Sequence, residues 1–388
     1  MTRILFVAFC ALIGLSLVLS AHAQLPLNAD DARKTTALFD APPADSLKCG
    51  IQPWSPTLDF TFRFVTGYVL HCQLAQFEGK KNTLIIYLRV TPETKPASLF
   101  GSAYRIPEVT SEMQASIGKN FRKMKNEIGM SGAFGIGKGR YVVEVLVHDD
   151  QNPTFHKKWR VRVDTSRSER SLPLAIQPLT VETLERKIWQ DVHPSRTGLR
   201  ITLLMDAAPI NPLQARLRAW DRAFLLQFIY SLLAETPHTS VHLVTFNLDQ
   251  QQEIFRSDDF AAASFQELSR VLSATETTTV SVQALKSRNS PEFLATLANR
   301  ELAADRADAI IFLGPNARTN IKSTASVLPG KKSGSPPIFY FEYFPWPAEF
   351  PDAIQSLVKA ADGTTFRIHT PAQLDQSIQK MLTQLKQN

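Results

Sequence analysis

The sequence predicts two domains: an all-β sandwich over residues 48–164, then an α/β domain with a doubly wound, mostly parallel sheet over residues 198–388. Three observations predict this. Up to Val163, apolar residues alternate with polar ones in short runs separated by Gly, Pro, Asn and Asp, which is the two-residue period of half-buried strands joined by turns. From Leu199 onward, short continuous apolar runs alternate with helical stretches, a pattern that lays strands in parallel with helices on both faces. The length, 388 residues, holds about two domains at roughly 100–200 residues each.

Residues 1–23 read as a cleaved signal peptide: Arg3, an apolar or small run from Ile4 to Leu19, then Ala21-His22-Ala23 as a small-x-small cleavage site. The run falls short of the ~20 residues a span needs, which argues against the alternative of an uncleaved anchor. No second span follows, and no Cys follows the cleavage site to carry a lipid. The expected location is secreted or periplasmic. Residues 24–47 have little periodicity and read as a flexible lead-in.

Export removes Cys10 and leaves Cys49 and Cys72. In an oxidising compartment the simplest outcome is a Cys49–Cys72 disulfide, worth roughly 3 kcal/mol in the chain-entropy model; two buried free thiols are the alternative. The formal charge is +7, but basic residues are spread over Lys80-Lys81, Lys119 to Lys125, His156 to Arg162 and Lys331-Lys332. None of these is a stripe interleaved with stacking aromatics, so nucleic acid is not the expected partner. Such a balance fits solubility or attraction to anionic envelope surfaces.

In the first domain the expected strands are Leu58 to Phe64, Tyr68 to Leu74, Thr83 to Thr91, Arg140 to Asp149 and Lys157 to Val163. Met113 to Lys125 is either a short helix or a basic loop. The run Gly132-Ala133-Phe134-Gly135-Ile136-Gly137-Lys138-Gly139 almost spells a phosphate-binding GxxxxGK[ST], but it lacks the hydroxyl and is followed by a strand rather than a helix. It reads as a mobile glycine loop. The closing pair GKGRYVVEVLVHDDQNPTFHKKWRVRV resembles the last hairpin of bacterial extracellular immunoglobulin-like domains, although the two cysteines do not match the antibody Cys-Trp-Cys spacing. Residues 165–197, with the amphipathic VETLERKIW, read as a linker that docks on one domain or the other.

In the second domain LRITLLM (Leu199 to Met205) is a buried strand, followed by a helix over Leu213 to Glu235 with Leu217, Trp220, Phe224, Phe228 and Leu232 covering the sheet. VHLVTFN (Val241 to Asn247) and QEIFR (Gln252 to Arg256) are strands joined by a turn too short for a crossover, so the second runs antiparallel at the edge. Helices over Phe260 to Leu272 and Pro291 to Leu302 precede the strands DAIIFLG (Asp308 to Gly314) and IFYFEYF (Ile338 to Phe344). A helix over Asp352 to Ala361, the strand TTFRIH (Thr364 to His369) and a helix over Ala372 to Leu385 complete the domain.

This order resembles the von Willebrand factor type A domain over residues 198–388, most tellingly in the strand-ending Asp206, the hairpin FNLDQQQEIF and the closing DGTTFRIHTPAQLDQSI. The preceding sandwich is similar to the companion domain of secreted bacterial proteins of this kind. The resemblance implies a divalent-cation site built from Asp-x-Ser-x-Ser, a Thr from a later loop and an Asp after the fourth strand. Here Asp206 matches, but the serine positions are Ala208 and Ile210, which offer no side-chain oxygen. The Thr position falls among Thr277, Thr278 and Thr279, and Asn316 stands where the second Asp belongs. The expectation is therefore no cofactor and no metal, with a weak cation at Asp206 as the alternative. Without a ligand, Asp206 serves the N-terminus of the following helix.

No Gly-x-Ser-x-Gly elbow or zinc-spaced cluster occurs, and His242 and His369 read as structural residues within strands. The aromatic stretch Tyr340 to Pro351 places Tyr343, Phe344, Trp346 and Phe350 either on a partner-binding rim or as loop core over helix ends. The expected function is an exported protein–protein interaction or adhesion-type module, metal-independent and not an enzyme, with an unknown protein partner in the envelope or outside the cell. The alternatives are an envelope hydrolase using Asp206, Asp249 or Glu342, and residual metal-dependent adhesion through Asp206.

Overall fold

A computed structural model describes residues 25–41, 46–77, 83–106, 127–149, 154–184, 192–211, 217–274, 290–304, 307–316, 335–343 and 352–387. Residues 1–23, expected to be a signal peptide, and Met113 to Lys125 lie outside the described residues. The chain divides into two compact units, Met1–Arg186 and Lys187–Asn388. Among the described residues no helix is long and apolar enough to cross a membrane.

The first unit contains β1 (Leu25–Pro26), α1 (Ala29–Asp40), β2 (Cys49–Leu58), β3 (Phe64–Gln73), β4 (Thr83–Pro92), β5 (Ser98–Arg105), β6 (Glu127–Ile136), β7 (Gly139–Asp149), β8 (Thr154–Val163) and β9 (Val181–Thr183). One antiparallel sheet has the order β1-β5-β4-β7-β8 and a second has the order β2-β3-β6-β9. Alternate residues of both sheets, among them Tyr68, Leu70, Ile86, Leu88, Met130, Val143 and Val145, share a single core. Cys49 lies opposite Cys72 in the β2–β3 register and the two sulfurs are bonded.

Several expectations for this unit need correction. Residues 24–47 are not simply a lead-in, because Leu25–Pro26 pairs with β5 and Asn28 caps α1 by accepting the Asp31 N–H at 2.9 Å. Only Thr35 and Phe39 of α1 are buried, too few to produce a readable periodicity. The alternation of Leu58, Phe60, Phe62 and Phe64 is not one strand: Leu58 ends β2, Phe64 starts β3 and the two pair, with Phe60 and Phe62 in the turn between them. Asp59 Oδ1 holds that turn by accepting Thr61 N–H at 2.9 Å and Arg63 N–H at 3.1 Å, with Phe62 in the left-handed region at φ 56°. Phe60 and Phe62 are buried by the turn itself, so their burial mimics a strand pattern.

The glycine run is also not a loop. Gly132 to Ile136 lie in β6, which pairs with β3 along its whole length. A Cβ on Gly67 would fall 2.2 Å from the Gly132 carbonyl oxygen, so glycine there permits the close approach of the two strands. Within 165–197, Leu172 and Ile176 are buried and Val181–Thr183 pairs with β6, so the linker's first part is sandwich. The strands β2 and β5 have no counterpart among those expected from the alternation.

The second unit contains β10 (Leu199–Asp206), α2 (Ala219–Glu235), β11 (His238–Asn247), β12 (Gln252–Ser257), α3 (Ser264–Ala274), α4 (Ser290–Ala303), β13 (Ala309–Pro315), β14 (Ile338–Tyr343), α5 (Ala353–Ala360), β15 (Thr364–Ile368) and α6 (Pro371–Gln387). Its sheet has the order β12-β11-β10-β13-β14-β15, parallel throughout except for the β11–β12 edge pair. Leu204, Val244, Ile310, Phe312 and Tyr340 pack with Leu294 and Leu297 of α4 and Ile354 and Leu357 of α5. Tyr343, on the face of β14 opposite to Tyr340, meets Phe224 of α2, so helices cover both sides.

Two sequence readings differ here. Trp220 does not cover the sheet but is 61% exposed, because it lies on the outer side of the first turn of α2, whose Asp221 is buried. His369 lies just past β15 rather than within it, and is exposed.

Candidate functional site

The strand order reverses direction at β10, with β11 built outward on one side and β13 on the other. Ligands of open α/β sheets collect outside the carboxyl ends of the strands at such a switch point, and Asp206 ends β10 there. The site therefore has to be judged by what Asp206 and its neighbours present.

Asp206 is fully buried. Its Oδ1 accepts the Leu248 N–H at 3.2 Å, while Oδ2 has no hydrogen-bond partner among the described residues. Burial pushes its carboxyl well above the usual range against the Leu248 hydrogen bond, and the Asp249 and Asp352 carboxylates push it the same way. Overhead, a Cβ on Gly314 would lie 3.0 Å from both the Cβ and the carbonyl oxygen of Asp206, so the end of β13 is pressed against it.

The loop after Asp206 is fixed from below. Ala207 donates its N–H to the Phe246 carbonyl at 2.7 Å, and Asn247 Nδ2 donates to the Ala207 carbonyl at 2.9 Å. Asp221, buried in the first turn of α2, accepts the Ile210 N–H at 3.3 Å and the Arg218 N–H at 2.8 Å. The Ile210 side chain turns inward and is buried, and Ala208 is half-buried. It is Asp221, not Asp206, that caps this helix start, which corrects the ligand-free role expected of Asp206.

Across the sheet, Asn316 Nδ2 donates to Glu342 Oε1 at 2.5 Å, and Arg367 Nε reaches Glu342 Oε2 at 3.3 Å. Glu342 is buried at 1% exposure. The Tyr340 hydroxyl lies 3.0 Å from Asp352 Oδ2 and 3.2 Å from the Pro315 carbonyl; burial, Asp352, Glu342 and Asp206 together hold its phenol well above the usual value. Asp352 also caps α5 through the Gln355 N–H at 2.9 Å. The acids Glu342 and Asp352 of this edge thus face protein donors, and Asp206 is raised by its burial.

The structure brings Asp206, Asn316 and Glu342 to one sheet edge, and Asp249 close enough to act on Asp206. Thr278 lies outside the described residues, as do Phe344, Trp346 and Phe350. Among the described residues Ala208 and Ile210 supply no side-chain oxygen, Asn316 turns its N–H to Glu342, and Asp206 is fully buried beside Gly314. Among the described residues no group of three or more His, Cys, Asp or Glu is placed to hold a metal.

Tyr343 is a correction to the rim expectation. It is 6% exposed, with its ring centroid 4.0 Å from that of Phe224, and burial raises its phenol. Sequence reasoning missed Trp220 as a surface residue; it is the exposed large hydrophobic side chain of this unit among the described residues, and it neighbours Asp221 at the same edge.

A separate ionic cluster surrounds His242 on β11. His242 Nε2 lies 3.0 Å from Glu301 Oε2, and Arg256 Nη2 donates to Glu301 Oε1 at 2.9 Å. Arg300 Nε donates to the same oxygen at 2.9 Å. Although burial opposes it, the bonds from His242, Arg256 and Arg300 lower the Glu301 carboxyl to about 2. This cluster ties α4 to the β11–β12 hairpin.

No family model matches the chain, and no curated protein matches it. Among solved structures, the ArnB paralog VWA2 from Sulfolobus acidocaldarius is similar at 11% identity, over 63% of this chain and 50% of that one, with a TM-score of 0.28. The N-terminal domain of TFIIH p34 matches at 13% identity, over 46% of this chain and 95% of that one, with a TM-score of 0.28. A putative ApaA protein from Bordetella pertussis matches at 7% identity, over 31% of this chain and 96% of that one, with a TM-score of 0.22. Likeness at this level carries no argument about what the chain does.

Proposed function

We propose that the chain is an exported protein–protein interaction module of the adhesion type: an immunoglobulin-like sandwich followed by a von Willebrand factor type A-like domain that works without metal and without catalysis. The observation that carries this reading is the division of labour at the carboxyl edge of the second sheet. Asp206, Glu342 and Asp352 are buried, while Trp220, in the first turn of the helix that follows β10, stands exposed. A catalytic or metal edge needs accessible, charged oxygens. An interaction rim needs an exposed aromatic anchor on a rigid frame, and Trp220 beside the Asp221-bound loop supplies one.

Export is supported by the signal-like residues 1–23 and by the Cys49–Cys72 bond, which belongs in an oxidising compartment. The test is affinity capture from the native envelope with the full chain and with Trp220→Ala, each in EDTA and in Mg²⁺. The reading expects a partner retained in EDTA and lost with Trp220→Ala. Capture that needs Mg²⁺, or that ignores the substitution, contradicts it.

A further inference from the structure

We propose that the outer face of the first unit's five-stranded sheet holds an acidic polypeptide in extended conformation, in a groove lined by Arg140, Arg160 and Arg162. The inference is independent of the second unit and of its rim.

The β4, β7 and β8 registers set out this face as rows. Arg140 lies opposite Arg162, Thr91 and Arg160 flank Val142, and Arg89 and Lys158 flank Glu144. Residues of β8 alternate between Val161 and Val163, which face inward, and His156, Lys158, Arg160 and Arg162, which face outward, so the edge strand has one apolar and one basic face. At one end the face is already occupied. Phe39 of α1 lies over the Arg89 guanidinium at 4.6 Å and edge-on to His156 with centroids 6.0 Å apart. Glu144 is consumed there, bonded to Arg89 at 2.8 Å and facing Lys158 at 3.4 Å.

At the other end the face stays open, as a groove of about 580 Å³ floored by Thr91 and Val142 and walled by the three arginines. Like charges placed directly opposite across two strands destabilise a sheet, and Arg140 opposite Arg162 is such a pair. Two acids face them: Glu93, which also lines the groove, is 3.7 Å from Arg140, and Asp164 is 3.1 Å from Arg162, with all four side chains more than half exposed. Exposed pairs of that kind compensate weakly. Arg160 makes no ion pair among the described residues. The groove therefore has an excess of guanidinium forks, whose planar donors match carboxylates two at a time.

Spacing selects the occupant. Same-face residues of a strand repeat every roughly 6–7 Å, so the outward charges of β8 form a row with that period. An extended peptide with acids at alternate positions repeats at the same interval. A flat anionic membrane does not reach a recessed floor at Val142, which argues for the peptide.

The test uses the full chain and a labelled short peptide of alternating Glu and Ser, read by fluorescence anisotropy. A peptide of the same composition with its Glu residues clustered, and vesicles of phosphatidylcholine with phosphatidylglycerol, serve as the other arms. The alternating peptide is expected to bind, to weaken as salt rises, and to lose about tenfold in affinity with Arg160→Gln or Arg162→Gln. Unfolding midpoints should be unchanged in both variants, and Arg270→Gln, an exposed residue of α3, should bind as the wild type does. No binding, equal binding of the clustered peptide, indifference to both substitutions, or binding to vesicles alone overturns the proposal.

Discussion

Asp206 accepts the backbone N–H of Leu248 at 3.2 Å with one carboxyl oxygen, while the other has no partner among the described residues, although Asp206 ends a central strand of the mostly parallel sheet. The Leu248 bond favours the charged form, but burial outweighs it and the carboxyl is raised. A lone buried charge would be far more costly than a held proton.

Linkage gives this a sign. The folded carboxyl is raised above the ~3.9 of an unfolded Asp, so the folded state keeps a proton that the unfolded state releases. The contribution is fully present below pH ~3.9 and is lost as pH rises toward the folded value, with a slope of at most ~1.4 kcal/mol per pH unit. Asp206→Asn keeps an oxygen for Leu248 and removes the titration. Urea unfolding at a series of pH values should show the variant gaining on the wild type from pH ~4 upward; parallel curves would show Asp206 to be ordinary.

Trp220 and Phe224 are one turn apart on α2 yet differ in what they touch. Trp220 is 61% exposed, whereas Phe224 is buried against Phe228 and Tyr343. Trp220→Ala should therefore leave unfolding free energy within about 0.5 kcal/mol, and Phe224→Ala should lower it by about 3–5 kcal/mol. Equal losses in denaturant titrations would place Trp220 in the core and remove it from the rim.

Glu301 titrates in the opposite sense to Asp206. Its carboxyl is lowered from 4.5 to about 2 by His242, Arg256 and Arg300, so its contribution is present above pH ~4.5 and is lost as pH falls toward 2. Glu301→Gln leaves Arg256 with Glu253 as its carboxylate partner and should destabilise the second unit by about 3 kcal/mol at neutral pH, while flattening the acid limb of the stability curve. An unchanged acid limb would show that other carboxylates control it.

How far the sequence could be read depends on where the information lies. Continuous apolar runs such as Leu199 to Met205 and Asp308 to Gly314 announce buried strands locally, and the short turn before Gln252 forces the antiparallel edge; the structure has both. Leu58 to Phe64 misleads because a turn closed by Asp59 buries the same alternate residues a strand would. Asn316 and Glu342 meet only because the β13–β14 register sets Gly314 beside Glu342, and no local pattern records a register. The missing serines at Ala208 and Ile210 are visible directly. The burial of Asp206 beneath Gly314 is not, since it depends on how closely two strands pack.

Calorimetric titration of Mg²⁺, Mn²⁺ and Ca²⁺ into the full chain and into Asp206→Asn addresses the buried carboxyl edge most directly. The geometry at Asp206, Ile210 and Asn316 predicts no heat that depends on Asp206. Binding at sub-millimolar metal that disappears in Asp206→Asn would contradict it.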